Sequence, residues 1–218
     1  MKSDFWMERW QKNEIGFHQQ DFHQQLVSHQ DKFSLPTNAK ILVPLCGKTK
    51  DLMYLQKMGE VTGVELSPLA TQQFFTENFG EMPKSNSIGA LEKFSKEKIE
   101  IFCGDFFHLK AKDAGPFDFF FDRAAIVALP SAMRPDYAAK LKSLLTPKAQ
   151  GLLITFEHAG AQTIGPPFSV QEEEIRMLFA PEFKLELLDS LSFTPQSKLY
   201  AQNNIHSVQE KVFKITGA

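Results

Sequence analysis

Apolar and polar positions follow a strand–helix–strand pattern between residues 40 and 65. Ile41–Val43 is a short apolar run with β-branched members, which is typical of a strand buried on both faces. Pro44 ends the run, because proline cannot donate to a central ladder of hydrogen bonds. Apolar residues at helical spacing follow, Gly59 is expected to end that helix, and Val61–Val64 is the next apolar run. The pattern predicts half of a doubly wound α/β sheet, in which ligands bind outside the carboxyl ends of the strands.

The rest of the chain continues this alternation. Ser67 and Pro68 are a cap residue and a proline at the first helical position, so they predict a helix that runs to about Phe79. The polar stretch 81–97 predicts a surface insertion. Further apolar runs predict strands, the last two as a hairpin at the sheet edge. These runs are Ile99–Phe102, Phe117–Phe121, Leu152–Glu157, Phe183–Leu191 and Val208–Ile215.

Glu65 stands at the carboxyl end of the second strand, 18 residues after Gly47. An acidic residue about 20 positions after a glycine turn typically accepts the two ribose hydroxyls of a bound adenine nucleoside. A carboxylate suits this role because it accepts two hydrogen bonds at once. The alternative is a solvated acid in a loop, and the preceding strand–turn–helix pattern favours the nucleoside site.

The glycine turn at Leu45–Gly47 excludes two phosphate-binding motifs. A P-loop needs a second glycine five residues before Gly47, and position 42 is leucine. A dinucleotide fingerprint needs three glycines within six positions, and this turn has one. A glycine-poor turn suits a nucleoside without phosphates, of which S-adenosylmethionine is the common example.

Two further strand ends carry candidate site residues. Asp105 and Phe106 follow the strand Ile99–Phe102, where an acid and an aromatic typically hold the adenine amine and cover its ring; the alternative is a turn aspartate beside a core phenylalanine. Arg123 follows Phe117–Phe121, at the expected position of the methyl group. Its guanidinium can pair with the methionine carboxylate or a substrate acid, or stack on a flat heteroaromatic ring.

Both tryptophans lie in a predicted N-terminal helix, Ser3–Asn13. Trp6 and Trp10 are one turn apart and therefore share a face. Such a stripe indicates either a helix packed on the core or a lid over the cofactor cleft. We predict the lid, as part of an N-terminal cover formed by residues 1–35.

The stretch Gly165–Ser169 contains two consecutive prolines and predicts a stiff loop. Its Pro-Pro-Phe sequence is a candidate wall of the acceptor pocket, and composition supports a purely structural loop equally well. Ser169 and Glu172 have the spacing of a capping box, which predicts the start of a helix that ends at Phe179.

Composition limits the classes of function. The chain has 218 residues, which suits a single α/β domain over 1–218, and a net charge of −2 gives no electrostatic footprint for nucleic acid. Two cysteines do not suggest a secreted disulfide framework. The lack of a leader and of a long apolar run predicts a cytoplasmic protein with no membrane partner, and we expect a monomer.

Several motifs occur in order along the chain: Phe5-Trp6…Trp10, Gly16–His18, Leu42–Lys48 (LVPLCGK), Gly63–Ser67 (GVELS), Asp122–Leu129 (DRAAIVAL) and Gly165–Val170 (GPPFSV). Together they resemble the thiopurine S-methyltransferase family, especially its bacterial form, over nearly the whole chain. The resemblance implies a Rossmann-like class I methyltransferase fold with a seven-stranded, mostly parallel sheet and helices on both faces. It also implies S-adenosyl-L-methionine as the methyl donor.

Carried over by position, the resemblance implies site residues and acceptors. The family's acceptors are aromatic and heterocyclic thiols such as 6-mercaptopurine, and bacterial relatives are associated with selenium or tellurium species. Vertebrate members place an arginine near the acceptor in the C-terminal part, where this sequence has only Lys198. The implied cofactor contacts are Trp10, Leu45, Glu65 and Arg123, with Trp6, Asp105 and Phe106 at neighbouring positions.

The sequence therefore predicts an enzyme without a metal, in which a thiolate displaces the sulfonium methyl group in line. Arg123 is the predicted catalytic residue, favouring the anionic acceptor, and no general base stands out. The rival predictions are a methyltransferase that detoxifies selenium or tellurium species, a non-catalytic nucleoside-binding protein, and a nicotinamide dehydrogenase. The missing glycines disfavour the last of these.

Overall fold

The computed structural model describes residues 3–218, which divide into two compact units. The first unit is the described part of the chain up to Phe121, and the second is Asp122–Ala218. Residues 1 and 2 of the predicted N-terminal cover lie outside the described part. Every helix within residues 3–218 is too short or too polar to span a bilayer.

The first unit contains a mixed sheet in the order β3-β4-β5-β2-β1-β6. The neighbours β5, β2, β1 and β6 are parallel, whereas β3, β4 and β5 pair antiparallel. The last two residues of β6 belong to the second unit. In chain order the elements are α1 (Ser3–Gln11), α2 (Gln24–His29), β1 (Ala39–Val43), α3 (Asp51–Leu55), β2 (Gly59–Glu65), α4 (Pro68–Phe79), β3 (Ser85–Ile88), β4 (Leu91–Lys96), β5 (Ile99–Cys103), α5 (Ala111–Ala114) and β6 (Phe117–Arg123).

The second unit contains three antiparallel strands in the order β7-β9-β8. Its last two strands pair with each other, which confirms the predicted C-terminal hairpin. The elements are α6 (Arg134–Ser143), β7 (Leu145–Glu157), α7 (Glu172–Phe179), β8 (Phe183–Phe193), α8 (Lys198–Gln202) and β9 (Val208–Gly217).

The predicted α/β fold class is confirmed, but residues 3–218 contain nine strands rather than seven. The two additional strands, β3 and β4, form a hairpin inside the stretch 81–97, which the sequence predicted as a surface insertion. Only one of their ten side chains is buried, so no apolar alternation marks them. Main-chain pairing of β4 with β5 holds the hairpin on the sheet.

Gly59 was predicted to end a helix and instead begins β2, since α3 stops at Leu55. The parallel ladder between β1 and β2 sets Ala39 opposite Gly59. A Cβ at position 59 would overlap the main-chain carbonyl oxygen of Ala39. The glycine is therefore required by the close approach of two strands, not by a helix end.

The two predicted helix starts have different outcomes. Ser67 caps α4 as expected, because its Oγ accepts the N–H of Ala70 at 3.3 Å. The predicted capping box at α7 is wrong, since the Oγ of Ser169 accepts the N–H of His158 at 3.1 Å. The first N–H of α7, that of Glu172, donates instead to the carboxylate of Glu157 at 2.8 Å.

Candidate functional site

Glu65 ends β2 and is 6% exposed. Its Oε2 accepts the N–H of Gly47 at 2.7 Å, and its Oε1 accepts the N–H of Ser67 at 2.7 Å. Each carboxylate oxygen can accept more than one hydrogen bond, so both retain capacity for a further donor. The carboxylate is thus fixed in orientation and fits a pair of hydroxyl groups such as a ribose diol.

Burial raises the pKa of Glu65 to about 7, because desolvation disfavours the charged carboxylate. The main-chain N–H groups of Ser67, Gly47 and Leu66 oppose this shift. Hydroxyl groups that donate to the carboxylate stabilise its ionised form. Binding of a diol is therefore coupled to ionisation of Glu65.

The turn after β1 brings further predicted residues to Glu65. Leu45 and Gly47 have left-handed φ angles of 49° and 55°, which turn the chain sharply. The indole of Trp10, 4% exposed, packs on this turn: a Cβ at Gly47 would lie 3.1 Å from its Cζ2. The predicted residues Trp10, Leu45 and Glu65 therefore cluster around one turn.

Phe17 links the two tryptophans of the N-terminal region. Its ring lies edge-on to Trp6 with centroids 5.6 Å apart, and edge-on to Trp10 at 5.7 Å. The shared face of Trp6 and Trp10 is thereby confirmed, although α1 ends at Gln11 instead of Asn13. The sequence marked Phe17 only as part of the motif Gly16–His18, and this contact was not predicted.

Asp105 and Phe106 follow the strand next to Glu65. The register pairs Glu65 with Cys103, and the N–H of Gly104 donates to the main-chain carbonyl of Glu65 at 2.8 Å. The exposed Asp105 accepts the N–H of Phe107 at 3.0 Å and so caps a 3-10 turn. Phe106 is 4% exposed, and its ring lies edge-on to that of Phe107 with centroids 6.0 Å apart.

Arg123 is half-buried and is the last residue of β6, which runs two residues beyond the predicted strand Phe117–Phe121. The preceding residue, Asp122, is fully buried and accepts the hydroxyl of Tyr137 at 2.7 Å and the N–H of Ile126 at 3.1 Å. Desolvation raises the pKa of Asp122 to about 6. The strand end that carries Arg123 is thus anchored by a buried pair, and Tyr137 had no signal in the sequence beyond its place in a helix.

The Gly165–Ser169 stretch, here called the acceptor loop, is tied to the second unit by several hydrogen bonds. The N–H of Phe168 donates to the carbonyl of Val127 at 2.7 Å. The guanidinium of Arg134, which is fully buried, donates to the carbonyl of Ser169 at 3.1 Å. Sequence reasoning missed Arg134, because an arginine at the start of a helix is usually solvated.

The described residues also include side chains of metal-ligating types and both cysteines. Within 3–218 no group of three or more His, Cys, Asp or Glu side chains is arranged to hold a metal ion. Burial raises the pKa of both Cys46 and Cys103, which keeps the two thiols protonated.

Solved methyltransferase structures share this fold at low sequence identity. A SAM-dependent methyltransferase from Anabaena variabilis gives a TM-score of 0.67 at 15% identity, over 99% of this chain and 95% of the other. TehB from Haemophilus influenzae gives 0.63 at 13% identity, over 92% and 64%. The 1,6-didemethyltoxoflavin-N1-methyltransferase of Burkholderia thailandensis, solved with S-adenosylhomocysteine, gives 0.60 at 16% identity, over 99% and 87%.

Sequence comparison identifies the family. The family model Thiopurine S-methyltransferase (TPMT) matches residues 1–218. Proteins named thiopurine S-methyltransferase from Pseudomonas fluorescens SBW25 and Xanthomonas campestris pv. campestris 8004 are 40% and 39% identical, each over 99% of both chains. The predicted family, fold class and methyl donor are confirmed: the chain belongs to the thiopurine S-methyltransferase family of S-adenosylmethionine-dependent methyltransferases.

Proposed function

We propose that the protein transfers a methyl group from S-adenosyl-L-methionine to the sulfur of an aromatic or heterocyclic thiol such as a thiopurine. Membership of the family and the names of its relatives support this acceptor class. The observation that carries the cofactor site is the buried carboxylate of Glu65, oriented by the N–H groups of Gly47 and Ser67.

Each part of the candidate site has a role in this proposal. S-adenosylmethionine supplies a methyl group on a positively charged sulfur. Glu65 accepts the ribose hydroxyls, and the turn at Leu45 supports the nucleoside. Trp6 and Trp10 cover the cofactor. In the turn after β5, Asp105 holds the adenine amine and Phe106 covers the adenine ring.

Arg123 acts on the anionic partner, either the thiolate or a carboxylate. A guanidinium is always charged and offers several donors in a plane, so it stabilises the thiolate form that attacks the methyl group. Thiopurine thiols are already acidic, so a dedicated base is unnecessary. Most of the rate enhancement then comes from alignment of donor and acceptor and from exclusion of water.

Replacing Arg123 with alanine tests this role. Loss of a positioned charged donor is expected to lower kcat/KM by about 100-fold, while the circular dichroism spectrum and thermal midpoint stay near those of the wild type. Arg176→Ala, which removes a half-exposed arginine of α7 paired with Glu172, is the matched control. Unchanged kinetics in Arg123→Ala would remove the residue from the site.

A methyl-transfer screen with radiolabelled donor decides the acceptor class. We expect label in 6-mercaptopurine and in other heteroaromatic thiols. Label only in selenium or tellurium species would contradict the thiol proposal, and donor binding without any transfer would support a nucleoside-binding protein instead. We further propose that the protein works as a monomer in the cytoplasm, on small-molecule acceptors.

A further inference from the structure

Tyr200 joins the C-terminal part of the chain to the tip of the acceptor loop. Its hydroxyl donates to the carbonyl of Pro167 at 2.6 Å, and the residue is 3% exposed. Its ring lies edge-on to the imidazole of His158, with centroids 5.1 Å apart. One side chain therefore contacts both the tip of the loop and the residue that follows β7.

The base of the acceptor loop, at Ser169 and Val170, and its tip, at Pro166 and Pro167, are held by different contacts. At the base, the Oγ of Ser169 accepts the N–H of His158, and the N–H of Val170 donates to the carbonyl of Phe156 at 2.8 Å. At the tip, Pro166 and Pro167 have no N–H to donate. Their carbonyls can only accept, and the carbonyl of Pro167 receives its donor from Tyr200.

The neighbourhood of Tyr200 makes it a rigid donor. Tyr200 belongs to a buried apolar cluster with Ile205 and Val208, on which Phe156 and Ile164 pack. Burial raises the pKa of Tyr200 to about 12, so the hydroxyl keeps its proton across the physiological range. The cluster holds the segment between β8 and β9, and the hydroxyl of Tyr200 joins that segment to the tip of the loop.

We propose that Tyr200 is a positioning residue that sets the tip of the acceptor loop and thereby the affinity for the acceptor, without affecting the methyl donor. The inference rests on the proposed function. It also takes up the prediction from the sequence that the Pro-Pro-Phe stretch at the tip walls the acceptor pocket. Lys198 of the same helix is exposed, whereas Tyr200 is turned inward to the loop.

Tyr200→Phe is the sharpest variant, because it removes only the hydroxyl and keeps the ring against His158. We expect the KM for 6-mercaptopurine to rise about fivefold, while kcat and the KM for S-adenosylmethionine stay within twofold of the wild type. Tyr54→Phe is the matched control, since Tyr54 is a similarly buried tyrosine of α3 that packs on Phe22. It should leave both KM values unchanged.

A merely structural role predicts a different result, namely a lower thermal midpoint with no selective change in the acceptor KM. An unchanged acceptor KM, or an equal rise in both KM values, would overturn the proposal.

Hydrogen exchange at Phe168 and Val170 measures the tether without catalysis. We expect faster exchange at Phe168, next to the tip, and unchanged exchange at Val170, at the base, in Tyr200→Phe. Unchanged exchange at Phe168 would refute the positioning role. If the wild-type protein methylates no thiol while the exchange result holds, the proposed function fails and the tether to the loop remains established.

Discussion

At the residue scale, the carboxylate of Glu65 connects three parts of the first unit. The carboxylate accepts the N–H of Gly47 in the turn after β1 and the N–H of Ser67, which caps α4. The main-chain carbonyl of Glu65 accepts the N–H of Gly104 after β5. The spacing of Gly47 and Glu65 predicted that this acid binds a ribose. The contribution of Ser67 was not predicted, because the sequence marked that residue only as a helix cap.

Glu65→Gln is expected to raise the Kd for S-adenosylhomocysteine at least tenfold, since hydrogen bonds to a charged acceptor are worth about 1.5–3 kcal/mol. Glutamine also presents an NH₂ group to one of the two main-chain N–H donors, which leaves that donor without an acceptor. Isothermal titration calorimetry measures the change. Glu60→Gln, at an exposed acid of the same strand, should bind normally. Equal affinities in both variants would show that Glu65 does not hold the ligand.

The raised pKa of Glu65 predicts a pH-dependent affinity. Below pH 7 the free protein holds the proton, so binding of the diol must release it, and affinity rises with pH until it levels above about 7. For stability the sign is opposite: the unfolded carboxyl loses its proton near 4.5, so stability falls as pH rises from 4.5 to about 7. Calorimetric titrations on both sides of pH 7 test the first statement, and an affinity independent of pH would contradict it.

At the element scale, contacts between strands decide features that local sequence describes wrongly. Gly59 follows a helical pattern and yet serves the β1–β2 ladder, where there is no room for a Cβ beside Ala39. The hairpin of β3 and β4 has few buried side chains and depends on pairing with β5. Both features depend on the neighbouring strand, which a window along the chain does not contain.

Gly59→Ala is expected to lower the free energy of unfolding by about 1–3 kcal/mol, the usual cost of forced overpacking. Urea denaturation followed by circular dichroism measures the loss. Gly16→Ala is the matched control, because a Cβ there meets nothing within 4 Å. A Gly59→Ala protein as stable as the control would mean that the strands separate freely at this point.

At the scale of the whole molecule, few of the large apolar side chains within residues 3–218 are exposed. Three of them lie on β8, the outer strand of the second unit, and a register shift between Leu187 and Asp189 interrupts its ladder with β9. Irregular edge strands resist edge-to-edge pairing. The exposed large apolar side chains within residues 3–218 are Phe22, Val27, Met177, Leu187, Leu191 and Phe193.

We therefore expect a single species of 24.7 kDa in size-exclusion chromatography with light scattering. A mass of twice this value would contradict the predicted monomer. Leu191→Lys then shows whether β8 is the contact, because a lysine on an edge strand disfavours pairing between copies. The organisation of residues 1–218 as one domain likewise stays a prediction.

Much of the candidate site was predictable because its signals are local. Glu65 follows its glycine turn at a characteristic distance, and Arg123 lies two residues after the apolar run Phe117–Phe121. The partners that hold these residues were not predictable. Tyr137 lies 15 residues from Asp122, and Tyr200 lies 33 residues from Pro167, and neither spacing repeats a known motif.

The sequence by itself determined the α/β class and the family and singled out Glu65 as the candidate cofactor acid, because strand, turn and helix signals are encoded over short stretches of chain. Only the tertiary structure decided why position 59 is glycine, that Ser169 binds the main chain of His158 instead of capping α7, and that Tyr200 holds the acceptor loop. Each of these depends on groups that meet after the chain has folded, and burial gives such contacts their energetic weight.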